Sequence, residues 1–143
     1  MISQTSEYAL RAVVCLAQSP EKPQTTVEIA KQTKVPEHYL SKVLLMLAKH
    51  EVVYSKKGLH GGYMLAHLPE ELPLLNVINA VDPIKHINSC PLKLKTHGTN
   101  LCRLHKRLND SIDLIEELFQ TSTVGTILSD PTKSIPLCES NAK

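Results

Sequence analysis

The apolar residues of the first fifty positions fall at helical intervals. Leu10, Val13, Val14 and Ala17 stand at i, i+3, i+4 and i+7 and predict a helix from about Ser6 to Gln18. Ser19-Pro20 ends it, and Glu21 to Gln24 reads as a loop. A short second helix starts at Thr25 or Thr26, where Thr25-Thr26-Val27-Glu28 has the spacing of a capping box. Ile29 and Ala30 are its inward positions, and Thr33-Lys34-Val35 forms a turn. Pro36 suits the first position of a third helix, because its fixed φ is already helical. That helix runs to about His50, with Leu40, Val43, Leu44 and Leu47 on one face. Two helices joined by a short turn make a helix-turn-helix unit.

The period then changes. Val52 to Ser55 is a β-prone run, Lys56 to Gly62 is a basic glycine-rich tip, and Tyr63 to Ala66 returns as a second strand. A basic hairpin directly behind a helix-turn-helix reads as a wing. Pro69 and Pro73 follow, and Leu74, Val77, Ile78 and Val81 mark one face of a short fourth helix that Asp82-Pro83 stops. Residues 83–101 show no period and form a long loop, the kind that carries function. From Cys102 to about Gln120 a longer helix shows a stripe of Leu101, Leu104, Leu108, Ile115 and Leu118, with Ile112 and Phe119 beside it. After so small a head, a second copy of the chain is the expected cover for that stripe. Residues 121–130 add a short turn of helix, and a polar tail follows from Pro131.

The fold class expected is mainly α with a small β-hairpin wing. It divides into a winged helix-turn-helix head (1–82), a loop (83–101), a dimerisation helix region (102–130) and a flexible tail (131–143).

The chain has 143 residues, of which 42% are hydrophobic, so a core can be buried. No run approaches the ~18 apolar residues that cross a bilayer. The opening residues show no basic segment followed by an apolar one, so a cytoplasmic location without membrane partners is the expectation. Net charge is only +2, but it is uneven. Residues 1–66 hold eight Lys/Arg against five Glu, and residues 31–57 hold six Lys against two Glu. That local surplus suits a polyanion.

The expected partner is double-stranded DNA. On the third helix Glu37, His38, Tyr39, Ser41 and Lys42 lie where side chains meet base edges or phosphates. Thr25 and Thr26 open the second helix, whose dipole favours a phosphate. On the wing Lys56, Lys57, His60 and Gly61 are placed to meet the minor groove. A winged-helix module that docks proteins without reading DNA is the competing reading. Salt-dependent, sequence-selective binding separates the two. An enzyme is not expected. Cys102 and His105 alone offer a nucleophile and base, but no orienting third group or phosphate-binding loop accompanies them.

The four cysteines are Cys15, Cys90, Cys102 and Cys138. In a reducing compartment they point to packing, metal or redox roles rather than disulfides. Cys15 falls inside the first helix as a small buried residue, and Cys138 lies in the tail.

Several stretches together resemble the Rrf-two family of winged-helix regulators, which includes iron–sulfur-cluster and nitric-oxide-sensing regulators. They are Ser6-Glu7-Tyr8-Ala9-Leu10-Arg11-Ala12, Glu28-Ile29-Ala30, Val35 to Leu40 and, above all, Gly58-Leu59-His60-Gly61-Gly62-Tyr63-Met64-Leu65-Ala66. The resemblance covers roughly residues 1–125. It implies a homodimer with crossed long helices, an operator of two half-sites, and repression. Glu51 departs from the pattern, where these proteins commonly have glycine.

Family members that hold an iron–sulfur cluster present three loop cysteines. Cys90 and Cys102 match the outer two; the middle position is Thr96, beside His97. The resemblance implies Cys90, Cys102 and His105 as ligands, joined by Glu7 from the other subunit or by His97. Reversible thiol oxidation at Cys90 and Cys102, a structural zinc site, and a response to a small molecule without any cluster are the other readings.

Overall fold

The computed structural model describes residues 2–98, 100–132 and 134–137. Cys138 lies outside the described residues.

Among the described residues six helices and one hairpin follow in order: α1 (Gln4–Ala17), α2 (Thr26–Thr33), α3 (Glu37–Lys49), β1 (Val53–Lys56), β2 (Gly62–Leu65), a single 3-10 turn (Pro69–Glu71), α4 (Leu74–Val81), α5 (Arg103–Thr121) and α6 (Val124–Ser129). The fold is mainly helical with a small antiparallel hairpin, as the pattern predicts.

α1 begins two residues earlier than its apolar spacing suggests. Ser3 caps it by accepting from the Ser6 N–H at 3.2 Å, so the polar first turn is already helix. α1 is the central pillar. Ala9, Ala12, Val13 and Leu16 are buried where α2, α3 and α4 pack around it. Leu40, Val43, Leu44 and Leu47 of α3 are wholly buried in the same core. Truncating one of these leucines costs about 2–5 kcal/mol, because a cavity remains.

The hairpin pairs Val53 with Leu65 and Lys56 with Gly62. A third segment steadies it: Gln24 and Tyr63 exchange backbone hydrogen bonds of 3.1 and 2.7 Å. The Gln24 side chain is buried, donating to the Cys15 carbonyl and accepting from Gln32, both at 3.2 Å. The base of the wing is thereby tied to α1 and α2 through one satisfied polar side chain.

α5 stands apart. None of its 19 residues is buried, and Leu104, Leu108, Leu114 and Leu118 are 45–68% exposed. Its stripe is split between two surfaces. Phe119 packs on the head's core, and Ile112 and Ile115 line a cavity of about 420 Å³ with Ile78 and Ile84. The remaining leucines face outward. After α5 the chain returns to the head: the Val124 N–H donates to the Leu72 carbonyl at 2.9 Å, and the Val124 side chain is fully buried. Among the described residues no helix is long and apolar enough to cross a membrane.

Candidate nucleic-acid interface and thiol loop

The wing's shape follows from two glycines. A Cβ on Gly61 would sit 2.2 Å from the Lys56 carbonyl oxygen. One on Gly62, at φ +152°, would sit 2.5 Å from the Gln24 backbone. No side chain fits at either place, so the tip closes tightly and turns Lys56, Lys57 and His60 out to solvent. Leu59 at the same tip is 95% exposed.

On α3, burying Leu40, Val43, Leu44 and Leu47 turns the opposite face outward. His38, Lys42, Leu45 and Lys49 recur there at i, i+4, i+7 and i+11 and are exposed, with Glu37 beside them. Ser41 is half-buried, and its hydroxyl donates to the Glu37 carbonyl at 3.0 Å.

Tyr39 sits differently from Glu37 and His38. Its ring meets Tyr8 edge-on, with centroids 5.4 Å apart, and its hydroxyl is hydrogen-bonded to Thr5. The geometry gives it a positioning task, fixing the start of α3 against α1.

At the start of α2 the capping box is complete. The Thr25 hydroxyl accepts from the Glu28 N–H at 3.2 Å, and the Glu28 carboxylate accepts from the Thr25 N–H at 2.8 Å. The Thr25 amide and hydroxyl hold the Glu28 carboxyl below its usual range, with Lys22 adding to the effect. Thr25 therefore spends its hydroxyl and its amide on the capping box of its own helix. Thr26 is half-buried in the first turn.

In the loop, each cysteine has a histidine beside it. Cys90 is buried with its sulfur 3.8 Å from His97 Nδ1. Cys102 forms the N-cap of α5, and its sulfur lies 3.3 Å from His105 Nδ1, one turn on. Cys15 is removed from this chemistry: burial pushes its thiol up to about 11. Glu7 is held by Arg11, with Nε 2.7 Å from its carboxylate, while Arg11 also donates to the Thr33 carbonyl. That pair buttresses the turn between α2 and α3.

The sequence profile of the Rrf2 family, described as "Iron-dependent Transcriptional regulator", matches residues 2–130. This chain belongs to the Rrf2 family. An HTH-type transcriptional regulator NsrR of Geobacillus kaustophilus (strain HTA426) is 28% identical over 131 residues, which cover 87% of each chain. Two solved structures share the fold. T. potens IscR has a TM-score of 0.75 at 23% identity, over 92% of this chain and 88% of its own. CymR, the global cysteine regulator of B. subtilis, has a TM-score of 0.69 at 24% identity, over 87% of this chain and 93% of its own. As an Rrf2 protein the chain is a DNA-binding transcriptional regulator on a winged-helix fold.

Membership raises the question of an iron–sulfur cluster, whose ligands are thiolates and, in some cases, imidazoles. Cys90 and Cys102 each have a histidine nitrogen beside the sulfur, and Thr96 fills the middle position. Glu7 of the same chain is engaged with Arg11. A cluster needs its thiolates around one centre. Cys90, Cys102 and His105 are the residues present that would hold one, with thiolate and imidazole donors of the right kind.

The described residues do contain one trio of metal-type ligands that sequence reading missed: His86, Asp113 and Glu116. Asp113 and Glu116 share a helix face, but nothing in the sequence signals that His86, so far from them along the chain, folds onto that face.

Proposed function

We propose that this Rrf2 protein is a cytoplasmic homodimeric repressor that reads an operator of two half-sites. α3 faces the major groove, the Lys56/Lys57/His60 wing meets the neighbouring groove, and the loop thiols Cys90 and Cys102 carry the signal. The observation that carries this reading is α5. A 19-residue amphipathic helix with no buried side chain and four exposed leucines is half of an interface. A second copy is the natural cover, because a two-fold dimer sets two recognition helices about one helical turn of DNA apart.

The DNA-facing residues fall into two groups on this reading. Lys42, Lys56, Lys57 and Thr26 serve phosphates, which give affinity and salt dependence. Glu37, His38 and Ser41 serve base edges, which give selectivity. Tyr39, Thr25 and Gly61 act by holding α3, α2 and the wing in place.

The test is Leu108→Glu, read by light scattering and operator titration. The reading predicts a monomer whose operator affinity falls by more than tenfold, because each half-site is then bound alone. A dimer that persists, or a monomer that binds equally well, would refute it. For the loop, protein purified without oxygen and assayed for iron and sulfide decides what the thiols hold. Stoichiometric iron and sulfide, lost in Cys90→Ser, would establish a cluster. Metal-free protein whose operator affinity changes on thiol modification would make the thiols themselves the sensor.

A further inference from the structure

The start of the loop is fastened to α5 by a side chain that reads backbone. Asn109 Oδ1 accepts from the Ile87 N–H at 2.9 Å, and its Nδ2 donates to the Ile87 carbonyl, also at 2.9 Å. Asp113 and Glu116 follow Asn109 at i+4 and i+7, so they continue the same face. The clasp delivers His86 onto them. His86 Nε2 lies 2.9 Å from Asp113 Oδ1 and 3.6 Å from Glu116 Oε2. The three donor atoms lie within 4.8 Å of one another, the one such trio of His, Cys, Asp and Glu among the described residues.

We propose that His86, Asp113 and Glu116 bind a divalent first-row transition cation that locks the start of the loop to α5. The donor set argues for that class. Magnesium and calcium take oxygen, whereas an imidazole nitrogen with carboxylates suits zinc, manganese or ferrous iron. Ligands held at about 2.1 Å from such an ion stand about 3.0–3.4 Å apart across a shared edge. The observed 2.9 and 3.6 Å straddle that range, and the Asp113–Glu116 edge lies within 4.8 Å, so side-chain adjustment without backbone movement is what seating an ion asks for. Two carboxylates balance a double positive charge. Side-chain exposures of 31, 66 and 28% for His86, Asp113 and Glu116 leave open positions for water.

The location gives the site a use. Asn109, Asp113 and Glu116 occupy a different face of α5 from the exposed Leu104, Leu108 and Leu118. An ion there tightens the hold on a segment that leads four residues later to Cys90, without touching the proposed dimer surface. The Ile87 clasp pre-orients His86 whether or not metal is bound. This inference does not rest on the role of the loop thiols, and its test removes them.

The experiment uses the full chain carrying Cys90→Ser, Cys102→Ser and Cys138→Ser, titrated calorimetrically with zinc. The expected result is one ion per chain, not displaced by magnesium at about a hundredfold excess. In that background His86→Ala and the isosteric Asp113→Asn each weaken binding by more than about tenfold, with unchanged circular dichroism. Hydrogen exchange of residues 84–90 slows when zinc is added. Absence of saturable zinc uptake, or uptake that His86→Ala leaves intact, would overturn the proposal: the trio would then be an ordinary histidine–carboxylate hydrogen bond.

Discussion

Glu51 holds a backbone conformation that glycine adopts without cost. Its φ is +58°, just past the end of α3. Its N–H bonds to the Ala48 carbonyl at 3.1 Å, and the Val52 N–H bonds to the Leu47 carbonyl at 2.9 Å, the paired bonds of a Schellman stop. The turn is thus the one a glycine would make, with a side chain forced into it. The left-handed conformation costs an L-residue roughly 1–2 kcal/mol. Glu51→Gly is therefore expected to raise stability by about 1 kcal/mol, after allowing for the extra freedom of glycine in the unfolded chain. Urea unfolding measures it, and a loss of stability would mean that the turn is built otherwise. Glu28 makes a second residue-scale test. Its carboxyl is held below the usual range, so the stabilisation it gives is present above the unfolded value and is lost as pH falls through the folded one. Wild-type thermal stability should fall more steeply than that of Glu28→Gln on acidification below about pH 4.5. Parallel pH profiles would contradict this.

At the scale of elements, the wing divides its labour between glycines that set shape and lysines that set charge. Lys56→Ala and Lys57→Ala should each reduce the slope of log affinity against log salt by about 1, uniformly across DNA sequences. An unchanged slope would place the wing away from phosphate. Gly61→Ala should weaken every sequence too, but through lost hairpin geometry, visible as faster hydrogen exchange at Tyr63. Most elements were legible because each carries its own period. The stripes of α1 and α3, the capping box of α2 and the glycine-rich tip are local signals, and the structure shifts their bounds by only one or two residues. What was illegible depends on distant contacts. The Ser3 cap hides behind a polar first turn, and the Pro69–Glu71 turn has no period to show. The spacing places Tyr39 with the DNA-facing residues of α3, whereas its ring meets Tyr8 and its hydroxyl bonds to Thr5, contacts that only the folded chain brings together. The Thr25 hydroxyl looked available to phosphate until Glu28 took it. The burial of Val124 in the head goes with backbone bonds from the Val124 N–H to Leu72 and from the Leu74 N–H to Ser122, partners far apart in the chain.

Across the whole molecule, the division of α5 explains how a small head and a long helix act together. Its inner face holds Phe119 against the head, and α6 then returns to seal the core through Val124. A tilt of α5 is therefore shared with the head rather than absorbed by a free linker. Its outer leucines are left for the proposed partner, and Asn109, on a different face, clasps the loop. On the proposed dimer, a change in the loop would reach, through the Asn109 clasp, the helix that sets the spacing between two recognition helices. Coupling of a few kcal/mol along such a path is enough for a switch.

The central claim is that two copies of this chain read two half-sites through α3 and the wing. Selection of bound sequences from a pool of randomised duplexes by the full-length protein, with the mass of the selected complex measured, tests it most directly. The account predicts enrichment of two-fold-symmetric sequences with half-site centres about 10–11 base pairs apart, or a multiple of that, and two chains per duplex. Enrichment of a lone half-site bound by one chain, or no enrichment at any salt concentration, would contradict it.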